Sequence, residues 1–128
     1  MKKLSAGLIA LVIAVSAFAG EYQDISVKEA RKLSKSKKAV IIDVNGTESY
    51  NKGHVPNALN YDAIKDNLAA SLPADKNATV VAYCGSPKCV AYQAAANAAS
   101  KLGYKNVRHM SAGISGWKEA GEKMEQGK

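Results

Sequence analysis

Two uninterrupted apolar runs constrain this chain more than any other feature. Ala39-Val40-Ile41-Ile42-Asp43-Val44 and Thr79-Val80-Val81-Ala82-Tyr83 are rich in β-branched residues and show no polar alternation. Such runs suit strands covered on both faces, as in parallel sheets; strands with one wet face alternate instead. Helix signals stand around them. Ser26-Val27-Lys28-Glu29 has the form of a capping box and predicts a helix to about Ser36. Residues 53–60 read as a turn leading into a short strand. Residues 62–70 read as a helix with Ile64 and Leu68 four apart, closed by Leu72-Pro73. A longer helix is predicted over residues 89–102, with Val90, Ala94, Ala98 and Leu102 on one stripe and Gly103 as the C′ residue. Residues 106–110 make a third strand, and residues 114–120 a short last helix carrying Trp117. The polar end, residues 122–128, is expected to fray. This alternation predicts an α/β domain with a central parallel sheet and helices on both faces.

The first residues are expected to lie outside that domain. Met1-Lys2-Lys3 is basic, the stretch to Ala14 is almost wholly apolar, and Ala17-Phe18-Ala19 ends it with small residues. This is the layout of a cleaved secretory signal, and the apolar run is shorter than the ~20 residues of a membrane span. The expectation is a signal peptide over residues 1–19 and one domain over residues 20–128, exported to the periplasm or another extracytoplasmic space. No membrane partner is expected after cleavage. Loss of Lys2 and Lys3 takes the formal charge from +7 to +5. Apart from Lys35-Ser36-Lys37-Lys38 the lysines are scattered and not interleaved with aromatics, so no nucleic-acid partner is expected. A mild attraction for small anions is the safer reading. Two cysteines and two histidines suit neither a disulfide-dense scaffold nor a zinc-finger array; no metal or cofactor is expected.

Cys84 carries the sharpest chemical signal. It ends a buried strand and precedes a loop and a helix, the position where ligands sit in parallel sheets. Unpaired amides and the helix dipole there favour thiolate over thiol. The loop Gly85, Ser86, Pro87, Lys88, Cys89 and Val90 can wrap the sulfur as a cradle of N–H groups for a negative atom, less the one that Pro87 lacks. Lys88 can add a cation near the mouth. A sulfur so placed is a nucleophile that needs no general base.

At this point the chain resembles the rhodanese-like family over nearly all of residues 20–128. The pieces are Ile42-Asp43-Val44, Gly53-His54-Val55-Pro56-Asn57-Ala58-Leu59-Asn60, Tyr83-Cys84 with its six-residue loop, Leu102-Gly103-Tyr104-Lys105-Asn106-Val107, and Ala112-Gly113-Ile114-Ser115-Gly116-Trp117. The resemblance implies a single α/β domain and sulfur transfer, with Cys84 carrying a persulfide. The donor would be a small sulfur-containing anion, thiosulfate or polysulfide; the acceptor would be a thiol, cyanide or a protein cysteine. Asn45 and Cys89 stand where many members have Arg, which weakens the case for the thiosulfate dianion. Val90 stands where related phosphatases have Arg, which disfavours phosphatase chemistry.

Cys89 leaves three readings open: a thiol that resolves sulfur bound on Cys84, a protective or regulatory disulfide partner, or a small apolar residue at a helix start. For the whole chain, two other functions compete with the sulfurtransferase. One is a non-catalytic carrier or sensor of sulfane sulfur. The other is a dithiol redox protein using Cys84 and Cys89. His54 is read as a turn histidine bonded to backbone, Asp43 as a scaffold residue orienting the loop after its strand, and Trp117 as core. His109 is placed at a strand end with no metal role. Arg108 is read equally as facing the cleft or the surface.

Overall fold

The computed structural model describes residues 22–127; the predicted signal peptide, residues 1–19, lies outside them. The two apolar runs become β2 (Ala39–Asp43) and β4 (Thr79–Tyr83), paired in parallel from Ala39 beside Thr79 to Asp43 beside Tyr83. β5 (Asn106–His109) lies along the other side of β4. Two very short strands, β1 (Gln23–Asp24) and β3 (Leu59–Asn60), complete a fully parallel sheet of order β1-β5-β4-β2-β3. β4 is therefore central, which explains why its residues are apolar on both faces.

The alternation of β4 sorts the core into two layers. Val80 and Ala82 face Ile42, Ala95, Ala96 and Ala99, whereas Val81 and Tyr83 face Ile25, Ala30, Val55 and Trp117. α1 (Val27–Ser34) and α6 (Gly113–Glu119) cover the second layer. α5 (Tyr92–Lys101) covers the first with α4 (Leu68–Ser71). The predicted capping box starts α1: the Glu29 amide donates to Ser26 Oγ at 3.1 Å, and the Ser26 amide to Glu29 Oε1 at 3.4 Å.

Several elements depart from expectation. Residues 61–71 form α3 (Tyr61–Ile64), a 3₁₀ turn and α4 rather than one helix. The break falls at Asn67 (φ −142°, ψ 43°), a residue type of low helix propensity because its amide side chain competes for backbone hydrogen bonds. The Ile64–Leu68 stripe survives it, since both pack into the α5-side layer. α5 begins at Tyr92, not near residue 89, because the preceding residues form turns: the Cys89 amide donates to the Ser86 carbonyl at 3.0 Å. Its buried stripe is Tyr92, Ala95, Ala96 and Ala99, while Val90 is 65% exposed. An alanine-rich helix offers apolar residues on several faces, and the one large residue that fits beneath, Tyr92, sets the rotation. α2 (Thr47–Lys52), unread in the sequence, follows β2.

The C-terminal tail does not fray through Gly127. The amides and carbonyls of His54 and Glu125 exchange two bonds of 2.9 Å, and the Gly127 amide reaches the Asn51 carbonyl. Trp117, buried as expected, donates from Nε1 to the Lys123 carbonyl at 2.8 Å. Among the described residues no helix is long and apolar enough to cross a membrane.

Candidate active site

Cys84 continues the alternation of Val80 and Ala82 one residue past the carboxyl end of the central strand. Its side chain packs in the α5-side layer, against which Tyr92 also lies, and the residue is 1% exposed. The chain then bends away through the exposed Pro87 and Lys88 to the half-buried Cys89. The turn closed by the Ser86 carbonyl and the Cys89 amide swings Cys89 back over Cys84. The structure joins the two in a disulfide, with Cα atoms 6.2 Å apart. That separation lies inside the ordinary span of ~4.4–6.8 Å, so the backbone needs no distortion to bring the sulfurs together.

The loop is held from beneath by α6. The Ile114 amide donates to the Cys84 carbonyl at 2.9 Å and the Ser115 amide to the Gly85 carbonyl at 3.0 Å. These bonds satisfy two first-turn donors of α6 that lack partners within their own helix. They also require a very close approach. A Cβ on Gly113 would stand 2.7 Å from the Cys84 oxygen and from the carbonyl group of Gly85, and the Gly113 φ is +64°. Gly113 thus permits both the contact and the left-handed backbone.

A second support runs through β2. The Tyr83 hydroxyl donates to Asp43 Oδ2 and accepts the Val55 amide, while Asp43 Oδ1 accepts the Asn45 amide at 2.8 Å. Asp43 is 1% exposed, and burial pushes its carboxyl above the ordinary range against the pull of those bonds. Burial beside Asp43 likewise pushes the Tyr83 phenol far up, so the hydroxyl stays a donor. Asp43 is therefore the loop-orienting residue expected. His54, also buried, reaches the Tyr50 carbonyl through Nδ1 at 2.7 Å, in keeping with a turn histidine.

Gly85 lines a groove of about 230 Å³ on the α6 side of the loop with Asn45 and Ile114, and Lys52 and Lys118 are among its walls. Lys52 also meets Glu48 at 3.3 Å on an exposed helix face. Arg108 is elsewhere: it lines a different groove with Ile25, Glu29 and Leu33, under α1. Among the described residues no group of three or more His, Cys, Asp or Glu is placed to hold a metal ion.

Sequence reasoning did not find the stack beneath the loop. Tyr92 lies flat on His109, ring centroids 3.4 Å apart and planes 4° from parallel. Burial lowers the His109 pKa, with Asp24 opposing it. The signal was available only in the register, which sets His109 beside Ala82 and so on the same face as Cys84.

Comparison with known proteins agrees with this architecture. The rhodanese-like domain family model matches residues 26–120. The uncharacterized protein YibN of Escherichia coli (strain K12) is 31% identical over 129 residues, spanning 94% of this chain and 87% of that protein. The thiosulfate sulfurtransferase GlpE of Coxiella burnetii (strain RSA 331 / Henzerling II) is 34% identical over 97 residues, 76% of this chain and 88% of that one. The polysulfide-sulfur transferase homodimer of Wolinella succinogenes shares the fold, with a TM-score of 0.65 at 20% identity over 83% of this chain and 80% of that one.

Proposed function

The chain belongs to the rhodanese-like domain family, and we propose that it is a sulfurtransferase working through a Cys84 persulfide. The observation that carries this reading is the placement of Cys84 at the carboxyl end of the central strand, beneath a short loop, where parallel sheets bind ligands. The reduced form is the active one, so the Cys84–Cys89 disulfide opens first. The Cys84 thiolate then attacks the outer sulfur of thiosulfate or a polysulfide. Sulfite or the shortened polysulfide leaves with the bonding pair, and the sulfur stays on Cys84. A thiol, cyanide or protein cysteine takes it away.

The loop amides stabilise the anionic sulfur. Pro87 has no N–H, and that of Cys89 is bonded to Ser86, so Gly85, Ser86, Lys88 and Val90 are the amides this reading relies on. Lys52 and Lys118 beside the groove support an anionic donor. The signal-like layout of residues 1–19 supports work outside the cytoplasm, where the disulfide form is favoured until a reductant arrives.

The test is cyanolysis by reduced protein with thiosulfate and, separately, with polysulfide, together with mass analysis of Cys84. Turnover and one added sulfur on Cys84, both lost in Cys84→Ser, are expected. Loading without turnover would instead make the protein a carrier, and no loading by any donor ends the reading.

A further inference from the structure

We propose that this site also reduces the sulfur it captures, with Cys89 as the resolving thiol and sulfide as the product; the proposal rests on the persulfide reading above. Three observations on one loop carry it. The two sulfurs reach bonding contact with Cα atoms at 6.2 Å, so Cys89 can attack Cys84 without backbone rearrangement. The Ser86–Cys89 turn fixes Cys89 in that position. The two cysteines also differ in access: Cys84 is 1% exposed and Cys89 is half-buried.

The steps balance as follows. Cys84 takes one sulfane sulfur from the donor and becomes a persulfide anion. Cys89 gives its proton to the departing sulfur and attacks Cys84 Sγ. The Cys84–Cys89 bond forms, the bond from Cys84 Sγ to the sulfane sulfur breaks, and the pair leaves on that sulfur as HS⁻. The sulfane sulfur gains two electrons and the two cysteine sulfurs lose them. The resulting disulfide is the state that the structure holds. A dithiol reductant, of the class of two-cysteine redox proteins, returns it to the reduced pair.

The difference in access gives that last step a direction. Thiol–disulfide exchange requires the attacking thiolate to line up behind the sulfur it strikes. Only Cys89 offers a sulfur on a partly open residue, so the reductant forms its mixed disulfide with Cys89 and Cys84 is the leaving thiolate. The loop amides that stabilise a persulfide stabilise this leaving group too. The buried nucleophile is thus set free first and can accept a new donor.

The experiment uses reduced full-length protein, one equivalent of an alkyl persulfide, sulfide trapping and peptide mass analysis. Wild type is expected to release one equivalent of sulfide and to end as the Cys84–Cys89 disulfide. Cys89→Ser and Cys89→Ala are expected to stop with one added sulfur on Cys84, their sulfide release falling to that of the donor alone. Wild type that keeps the added sulfur and releases sulfide no faster than these variants overturns the proposal and leaves the persulfide reading intact. Failure of every form to take sulfur onto Cys84 overturns the persulfide reading itself. A two-cysteine reductant stripped of its own second cysteine is expected to be trapped on Cys89; trapping on Cys84 overturns the direction.

Discussion

The hydroxyl of Tyr83 lies 2.6 Å from Asp43 Oδ2 and joins the ends of the two central strands below the Cys84 loop. It also accepts the Val55 amide at 3.0 Å, so one oxygen serves two buried partners. Tyr83→Phe keeps the ring and strands both. A buried group left unsatisfied costs about 1–3 kcal/mol, and a charged one more, so a loss of about 3 kcal/mol is expected by denaturant melting. The sign with pH is specific. Burial places Asp43 above its unfolded value, so its contribution is fully present below that unfolded value and fades as pH rises through the folded one. Removing a donor to the ionised form deepens that fall. The variant's deficit is expected to be larger at neutral pH than in acid; an equal deficit at both would contradict the arrangement.

Gly113 separates strain from collision. Gly113→Ala meets the Cys84 and Gly85 backbone at 2.7 Å with φ at +64°. Gly121→Ala has φ +76° and nothing within 4 Å. Left-handed backbone alone costs about 1–2 kcal/mol, which is the loss expected at Gly121. The collision adds overpacking of about 1–3 kcal/mol at Gly113, and the loop must shift to relieve it. Sulfur loading on Cys84 is expected to slow in Gly113→Ala and to be kept in Gly121→Ala, as read by mass analysis over time.

His109 supplies an acid-side prediction. Its folded pKa is lowered by burial, so the stability it contributes is present above the unfolded value of about 6.5 and is lost as pH falls through the folded value. His109→Phe retains an aromatic face for Tyr92 and removes the titration. Melting temperatures measured downward from pH 7.5 are expected to fall less in the variant than in wild type. Parallel curves would remove His109 as the cause.

Lys118 tests the charge of the donor. It borders the groove beside Gly85 with Lys52. Lys118→Glu is expected to raise the donor concentration for half-maximal loading roughly fivefold, the equivalent of an exposed contact worth up to ~1 kcal/mol. The difference is expected to vanish near ~1 M salt, where charges are screened beyond ~3 Å.

Strand residues 39–43 and 79–83, the capping box at Ser26 and the buried Trp117 were legible because each depends on neighbours in sequence. The position of Cys84 followed from the end of β4 alone. What escaped reading depends on distant partners. The rotation of α5 was set by where Tyr92 packs, in a helix whose alanines fit on any side. The tail pairs with His54 at Glu125, 71 positions further along the chain, and its polar composition gave no hint of that. The Tyr92–His109 stack needed the strand register, and the need for glycine at 113 needed the distance to the Cys84 carbonyl. The Cys84–Cys89 pairing turned on a bend at Pro87 whose direction spacing does not specify.

Both margins of the sheet, β1 and β3, are only two residues long. A neighbouring molecule seeking to extend the ladder would find few unpaired main-chain groups, and such brevity is a recognised safeguard against edge-to-edge aggregation. The apolar centre of the sheet is therefore enclosed sideways as well as above and below. The β-branched runs of β2 and β4, a hazard wherever such a segment lies exposed on an edge, are thereby kept off the margins of the folded sheet.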